Sequence, residues 1–293
     1  ARCDVESVDY CFSFSEALEQ EWTWTEKYAT QGEILRYLNW VTDKQDLRRG
    51  ITFNTRVTSA VLDETHVRWT VSTDTGEVVT ARFVVMATGP LSAAMTPEFP
   101  GLDSFAGEIY HTAHWPHEGA DFTGKRVAVI GTGSSGVQSI PIIAEQAAQL
   151  YVFQRTPNYS VPAGNRALTA EEVADVKATY AERRRVSRRS GGGSPHVPHP
   201  KLTMEASPQE RRAAFERRWD LGGVLFSKTF ADQMTDLTAN AEAQRFWEEK
   251  VRAVIDDAEV AELLIPDDHP IGTKRICTDS NYFQTFNRPN VRL

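Results

Sequence analysis

Cysteine is scarce. Cys3, Cys11 and Cys277 are the only three in 293 residues, and no two of them form a C-x-x-C pair. No disulfide framework can be built from them. The thiols read as reduced and idle, and a cytoplasmic location is expected. Basic residues are outnumbered: 32 Lys and Arg stand against 40 Asp and Glu, giving a net charge of -8. A general nucleic-acid binder needs a basic footprint to neutralise phosphates, so that class is excluded. No apolar run is long enough to span a bilayer, and no membrane partner is expected. His111, His114 and His117 lie close together, but no cysteine or carboxylate at ligand spacing completes a metal site, and no metal is predicted. No repeat at solenoid spacing is present either.

What remains is an ordinary globular composition, 41% hydrophobic and 25% charged. The length suggests about two domains at ~100–200 residues each. Residues 1–50 read as a loop followed by helices. Ile34, Tyr37, Leu38 and Val41 share one helical face. Residues 51–86 switch to alternation, in Ile51–Phe53, Val67–Val71 and Val78–Val79, with a turn at Asp74-Thr75-Gly76. Phe83–Met86 is a continuous apolar run, which suits a strand buried on both faces. Arg126–Ile130, a Gly-rich turn, a helix through Ala148 and Leu150–Phe153 make a β-turn-α-β unit.

Residues 164–270 look like a helical insertion. Thr169 with Glu172, and Ser207-Pro208 with Glu210, are capping boxes that open helices. Ser190–Pro200 is too rich in Gly and Pro for regular structure. A further helix is expected from about Ala239 to Ile255, and a short one before Pro266. Arg183-Arg184-Arg185 and Arg188-Arg189 read as a solvated helix face, because acidic residues surround them.

The turn Gly131-Thr132-Gly133-Ser134-Ser135-Gly136 carries chemistry. Glycine permits the tight turn and lets the backbone approach a pyrophosphate, while the following helix offers unpaired N–H groups to the anion. Thr132, Gly133, Ser134, Ser135, Gly136, Val137 and Gln138 are therefore assigned to cofactor binding. An acid about 20 residues on would bind the ribose hydroxyl of NAD. Here Gln154-Arg155-Thr156-Pro157 stands instead. Arg155 can grip a 2′-phosphate with its fork of donors and Thr156 can add a hydroxyl, which points to NADP. A surface arginine ending a strand is the alternative. Lys274-Arg275, read alone, is an ordinary surface dipeptide.

Phe105-Ala-Gly107-Glu-Ile-Tyr-His111-Thr-Ala-His-Trp115-Pro116 precedes that turn. Its form, F-x-G-x-x-x-H-T-x-x-W-P, resembles the fingerprint of the Baeyer–Villiger flavin monooxygenases, nearest to their phenylacetone and steroid branches. The resemblance runs along nearly the whole chain. It implies an α/β flavoprotein with two dinucleotide-binding domains. A partial FAD domain would occupy 1–94, an NADP domain 95–163 with 271–293, and the helical insertion 164–270. It implies the cofactors FAD and NADPH, the partners O2 and a small ketone, and conversion of the ketone to an ester or lactone through a C4a-peroxyflavin.

The same resemblance assigns residues. Arg275 falls on the catalytic arginine and Lys274 on a contact to the NADP phosphate. Asp4, in Arg2-Cys3-Asp4, falls on the aspartate that pairs with that arginine, and Arg2 of that motif on a cofactor-binding position. Val5, Tyr10 and Val57 fall on flavin-contacting positions, although by themselves Tyr10 and Val57 read as packing residues. Phe105, Gly107, His111 and Trp115 carry the fingerprint, with His111 as a hinge or orienting residue. The N-terminal G-x-G-x-x-G for the FAD pyrophosphate is missing, as is the C-terminal half of the FAD domain. The chain, opening at Ala1 inside a motif, is thus expected to be an inactive fragment of a longer enzyme. Two other readings stand beside this one: a related flavin N- or S-oxygenase, and a non-catalytic NADP-binding module.

Overall fold

The computed structural model describes residues 2–89 and 91–293; Ala1 lies outside them. The chain divides into two compact units. One comprises the chain up to Tyr37 together with Asp121–Leu293, the other Leu38–Ala120.

The N-terminal stretch holds a 3-10 turn at Ser7–Tyr10 and a short helix α1 (Glu16–Glu21). Helix α2 (Gln31–Lys44) follows. Tyr37 and Val41 on its predicted apolar face are buried, but Leu38 is 42% exposed. Glu33 lies on the buried side too. Its carboxylate accepts from the Thr25 amide at 2.8 Å and the Thr25 hydroxyl at 2.9 Å. A carboxylate so partnered can be buried, and a count of apolar positions cannot register it.

The second unit is built on a meander of β1 (Val57–Asp63), β2 (Arg68–Thr73) and β3 (Val78–Ala81), antiparallel in that order. Val71 pairs with Ala60 on one side and Val79 on the other. Gly76 closes the β2–β3 turn at φ +85°, a conformation glycine adopts without steric cost. Two expectations fail here. Ile51–Phe53 forms no strand, and Phe83–Met86 is not buried: Phe83 and Val85 are 78% and 85% exposed. No strand pairs with either run among the described residues. Alternating or apolar side chains supply a face, but only a neighbouring strand satisfies the backbone groups that define a sheet.

In the first unit β4 (Arg126–Ile130), α3 (Ser134–Gln146) and β5 (Gln149–Phe153) follow the predicted order, the helix ending slightly earlier than expected. β4 and β5 are parallel, from Arg126 beside Gln149 to Ile130 beside Phe153. α3 buries Val137, Ile140, Ile143 and Ala144, and β5 buries Leu150 and Val152. Strand β6 (Ser160–Pro162) leads into the helical region. Both capping boxes form, at α4 (Ala170–Arg189) and at α5 (Pro208–Leu221), where Pro208 takes the first helical position. α6 (Leu237–Arg252) and α7 (Ala258–Leu263) complete the region. Phe215 packs against Phe226, Phe230 and Phe246 with ring centroids 5.8, 5.4 and 5.4 Å away. Trp247 of α6 is fully buried and donates from Nε1 to the Ser160 carbonyl at 2.7 Å, tying the helices to β6.

The arginine run of α4 is not simply a solvated face. Arg183 pairs with Asp9 at 3.3 Å and Arg184 with Glu19 at 2.9 Å, and both side chains are largely covered. The acids that neutralise them lie more than 160 residues away in sequence, so local charge balance could not reveal the pairs. Strand β7 (Cys277–Asp279) lies parallel to β6, and a short helix α8 (Tyr282–Thr285) follows. β8 (Val291–Arg292) joins β5 in parallel, so that sheet runs β4-β5-β8. Asn290 donates from Nδ2 to the Ala144 and Ala147 carbonyls at 3.0 and 2.8 Å, satisfying groups that the end of α3 leaves open.

Candidate functional site

The turn after β4 is built for close approach. Gly131 sits at φ +104° and its N–H donates to the Phe153 carbonyl at 2.9 Å, fastening the turn to β5. At Gly136 a Cβ would stand 2.2 Å from the Gly131 carbonyl oxygen, so only glycine fits. At Gly133 a Cβ would meet nothing within 4 Å, and no side chain caps the helix there. The first N–H groups of α3 are thus left to a ligand, and a helix N-terminus favours an anion. Ser134 and Ser135 are exposed beside it. Thr132 is buried, its hydroxyl 3.3 Å from Gln154 Oε1. Val137 is fully buried, so only its backbone belongs to the turn. Arg155 is exposed two residues past the end of β5 with Thr156 half-buried next to it, and Arg155 makes no ion pair among the described residues. These residues fit a dinucleotide with a phosphorylated ribose.

The second cluster converges on β7. Gly272, at φ +91°, turns the chain, and Lys274 and Arg275 emerge exposed before buried Ile276. Arg275 donates from Nε to Asp4 Oδ2 at 2.8 Å. The Asp4 carboxylate, as hydrogen-bond partner and as charge, holds the guanidinium further above its ordinary range. Tyr10 lies near enough to feel this pair, and its hydroxyl is raised chiefly by burial. Val5 is half-buried.

Arg2, assigned to cofactor binding, pairs with Glu26 and donates its backbone N–H to Gln138 Oε1 at 3.1 Å. Gln138 therefore contacts the N-terminal segment as well as belonging to the nucleotide helix. The sequence reading missed Asn158. Its Nδ2 is 3.2 Å from Cys277 Sγ and 3.4 Å from the Arg275 carbonyl, and Ser134 Oγ is 3.4 Å from the same sulfur. Cys277, which opens β7 two residues after Arg275, thereby links that strand to the first residue of α3. No motif flagged either residue.

The remaining assigned residues lie in the second unit. Val57 begins β1 and is 57% exposed. Gly107 lies under its own neighbour: a Cβ there would stand 2.6 Å from the Phe105 ring. His111 caps the 3-10 turn Thr112–His114, its Nδ1 accepting from the Ala113 N–H at 3.2 Å. Trp115 packs on Tyr110 with centroids 5.8 Å apart. Among the described residues, no group of His, Cys, Asp and Glu is placed to hold a metal, and no helix is long and apolar enough to cross a membrane.

Residues 5–182 match the family model for pyridine nucleotide-disulphide oxidoreductases. An acetone monooxygenase (methyl acetate-forming) of Gordonia sp. (strain TY-5) is 39% identical over 99% of this chain and 55% of its own length. The structure of an oxidised steroid monooxygenase bound to NADP superposes with a TM-score of 0.96 at 68% identity, over 100% of this chain and 56% of that one. A crystal structure of OTEMO in complex with FAD and NADP does so with a TM-score of 0.94 at 42% identity, over 99% and 55%. The chain spans about half the length of the curated relatives it matches. These relatives bear out the resemblance to Baeyer–Villiger monooxygenases that the fingerprint carried.

Proposed function

The chain belongs to the pyridine nucleotide-disulphide oxidoreductase family, and from that premise we propose that it forms part of a Baeyer–Villiger monooxygenase. The reaction consumes a ketone, O2, NADPH and a proton, and yields an ester or lactone, NADP and water. The observation that carries this reading is the Arg275–Asp4 pair, set beside an unblocked nucleotide turn. The Gordonia relative, an acetone monooxygenase that forms methyl acetate, supports the same chemistry. FAD and NADP, named in the OTEMO complex, are the cofactors.

Residues 1–94 belong to an FAD domain, 95–163 and 271–293 to an NADP domain, and 164–270 to an insertion. The Gly131 turn and the N-terminus of α3 hold the NADP pyrophosphate, and Arg155, Thr156 and Lys274 its 2′-phosphate. Val5 and Tyr10 contact the flavin, and Arg2 belongs to the same cofactor-binding segment. A bound flavin would supply the redox chemistry between NADPH and O2. Arg275 supplies a fixed cation where negative charge develops, and Asp4 keeps it charged and oriented. Phe105, Gly107, His111 and Trp115 shape the connection between the cofactor domains, His111 through its cap on the 3-10 turn. The partners are a small ketone and O2, with no nucleic acid. A cytoplasmic location is consistent with three unpaired cysteines.

The full-length protein, given NADPH, labelled O2 and a methyl ketone, should yield an ester with one labelled oxygen. NADPH consumption without ester, or oxidation of an offered sulfide alone, would refute the reading.

A further inference from the structure

Segment Glu26–Thr30 is a spine with hydrogen-bonded neighbours on both edges. On one edge Arg2 bridges to Thr30, Cys3 N donates to the Ala29 carbonyl at 3.1 Å and Ser7 N to the Lys27 carbonyl at 2.8 Å. On the other, Lys27 N donates to the Arg166 carbonyl at 2.9 Å and Leu168 N to the Thr25 carbonyl at 3.0 Å. One carboxylate joins the two edges. Glu26 Oε2 accepts from Arg2 Nη1 and, at 2.6 Å, from Asn165 Nδ2. Asn165 Oδ1 accepts from Tyr28 N at 2.8 Å, so the amide is fixed at both ends. Arg2 Nη1 also reaches the Tyr28 carbonyl at 3.1 Å.

Asp4 follows two residues after Arg2 on this edge. A short segment tied to its neighbour by one bridge and a few backbone bonds can shift, and a shift of one residue moves each side chain by about 3.3 Å. Such a shift would move Asp4 away from Arg275. The Ser7 hydroxyl anchors the far end of the segment, donating to the Glu26 carbonyl and accepting from Ala29 N, both at 2.7 Å, and the charge-assisted bond from Arg2 to Glu26 anchors the near end.

We propose that Glu26, with Asn165, is a positioning residue that holds the Arg2-Cys3-Asp4 segment where Asp4 meets Arg275. Its consequence for catalysis rests on the reading given under Proposed function; its consequence for the segment does not.

The test uses Glu26→Ala and Glu26→Gln in the full-length protein. Alkylation of Cys3 by iodoacetamide, resolved by peptide mass spectrometry, reads the segment itself. It should quicken about tenfold in Glu26→Ala and stay within about threefold in Glu26→Gln, whose amide oxygen still accepts from Arg2. Ester formation should fall about tenfold in Glu26→Ala, but by less than about twofold when Asp4 is already alanine, since the two changes then remove one interaction. Unchanged Cys3 labelling in Glu26→Ala overturns the proposal, and so do losses that multiply in the double variant, which would mark a merely structural role. If the parent makes no ester, the functional reading fails instead. Cys3 labelling then decides the inference alone, with faster labelling in its favour.

Discussion

Arg275 and Asp4 stand 271 positions apart in the chain, and Arg275 Nε lies 2.8 Å from Asp4 Oδ2. The bond uses Nε, so the two terminal nitrogens of the guanidinium remain for another anion. Arg275→Ala should therefore separate two halves of the reaction in the full-length enzyme. Reduction by NADPH should survive within about tenfold, while ester formation should fall by at least ~100-fold, the usual cost of one such donor. Arg275→Lys should rescue poorly, because an ammonium cannot serve Asp4 and a second anion with a planar fork. Stopped-flow reduction without oxygen, followed by product analysis with ketone, checks both halves. Ester made at the parent rate would remove Arg275 from the site.

Arg155 is exposed two residues past the end of β5, where the ribose of a bound dinucleotide would lie. Arg155→Ala should weaken NADPH roughly 10- to 100-fold, as loss of a hydrogen bond to a charged group costs ~1.5–3 kcal/mol. NADH should be almost unaffected. Equal losses for the two cofactors in steady-state KM would sink the 2′-phosphate assignment.

Gly136→Ala places a methyl group 2.2 Å from the Gly131 carbonyl. The turn must shift, at a cost of about 1–3 kcal/mol for overpacking. Thermal unfolding should drop by several degrees, roughly 2–4 °C for each kcal/mol in a chain of this size class. NADP affinity should fall at least about tenfold, because the displaced backbone is the anion site. Calorimetric titration with NADP, beside a melting curve, reads both. Parent-like affinity would show that the turn is not where the nucleotide binds.

His196 gives the helical region an acid sensitivity. The Lys228 carbonyl can only accept, so Nε2 donates to it at 2.6 Å; Arg218 can only donate, so Nδ1 accepts from it at 3.0 Å. Burial first, then the Arg218 and Lys228 charges, push the ring below its ordinary value, against a raising effect of the Lys228 bond. A lowered folded value means the contribution to stability is present above the unfolded value near 6.5, and is lost as pH falls through the folded one. The parent's melting temperature should therefore fall more steeply between pH 7 and pH 5 than that of His196→Gln, which keeps a donor and an acceptor but does not titrate. Parallel pH profiles for parent and variant would contradict this account.

The sequence by itself determined what depends on neighbours in the chain. The glycines of the Gly131 turn are dictated by backbone sterics over a few residues, and the capping boxes at Thr169 and Ser207 by bonds spanning three. The β4-α3-β5 order followed from two apolar runs flanking a Gly-rich turn and a helix. Tertiary structure decided whatever needed a distant partner. Phe83–Met86 had the side chains of a buried strand, yet no ladder meets it among the described residues. Arg183 and Arg184 looked solvated until Asp9 and Glu19 were brought beside them. Asp4 and Arg275 could be linked only by resemblance, and Glu26, Asn158 and Asn165 carried no signal at all. Spacing along the chain fixes local sterics and nearby hydrogen bonds, whereas ion pairs and buried amides are chosen by which segments the folded core holds within about 3 Å of each other.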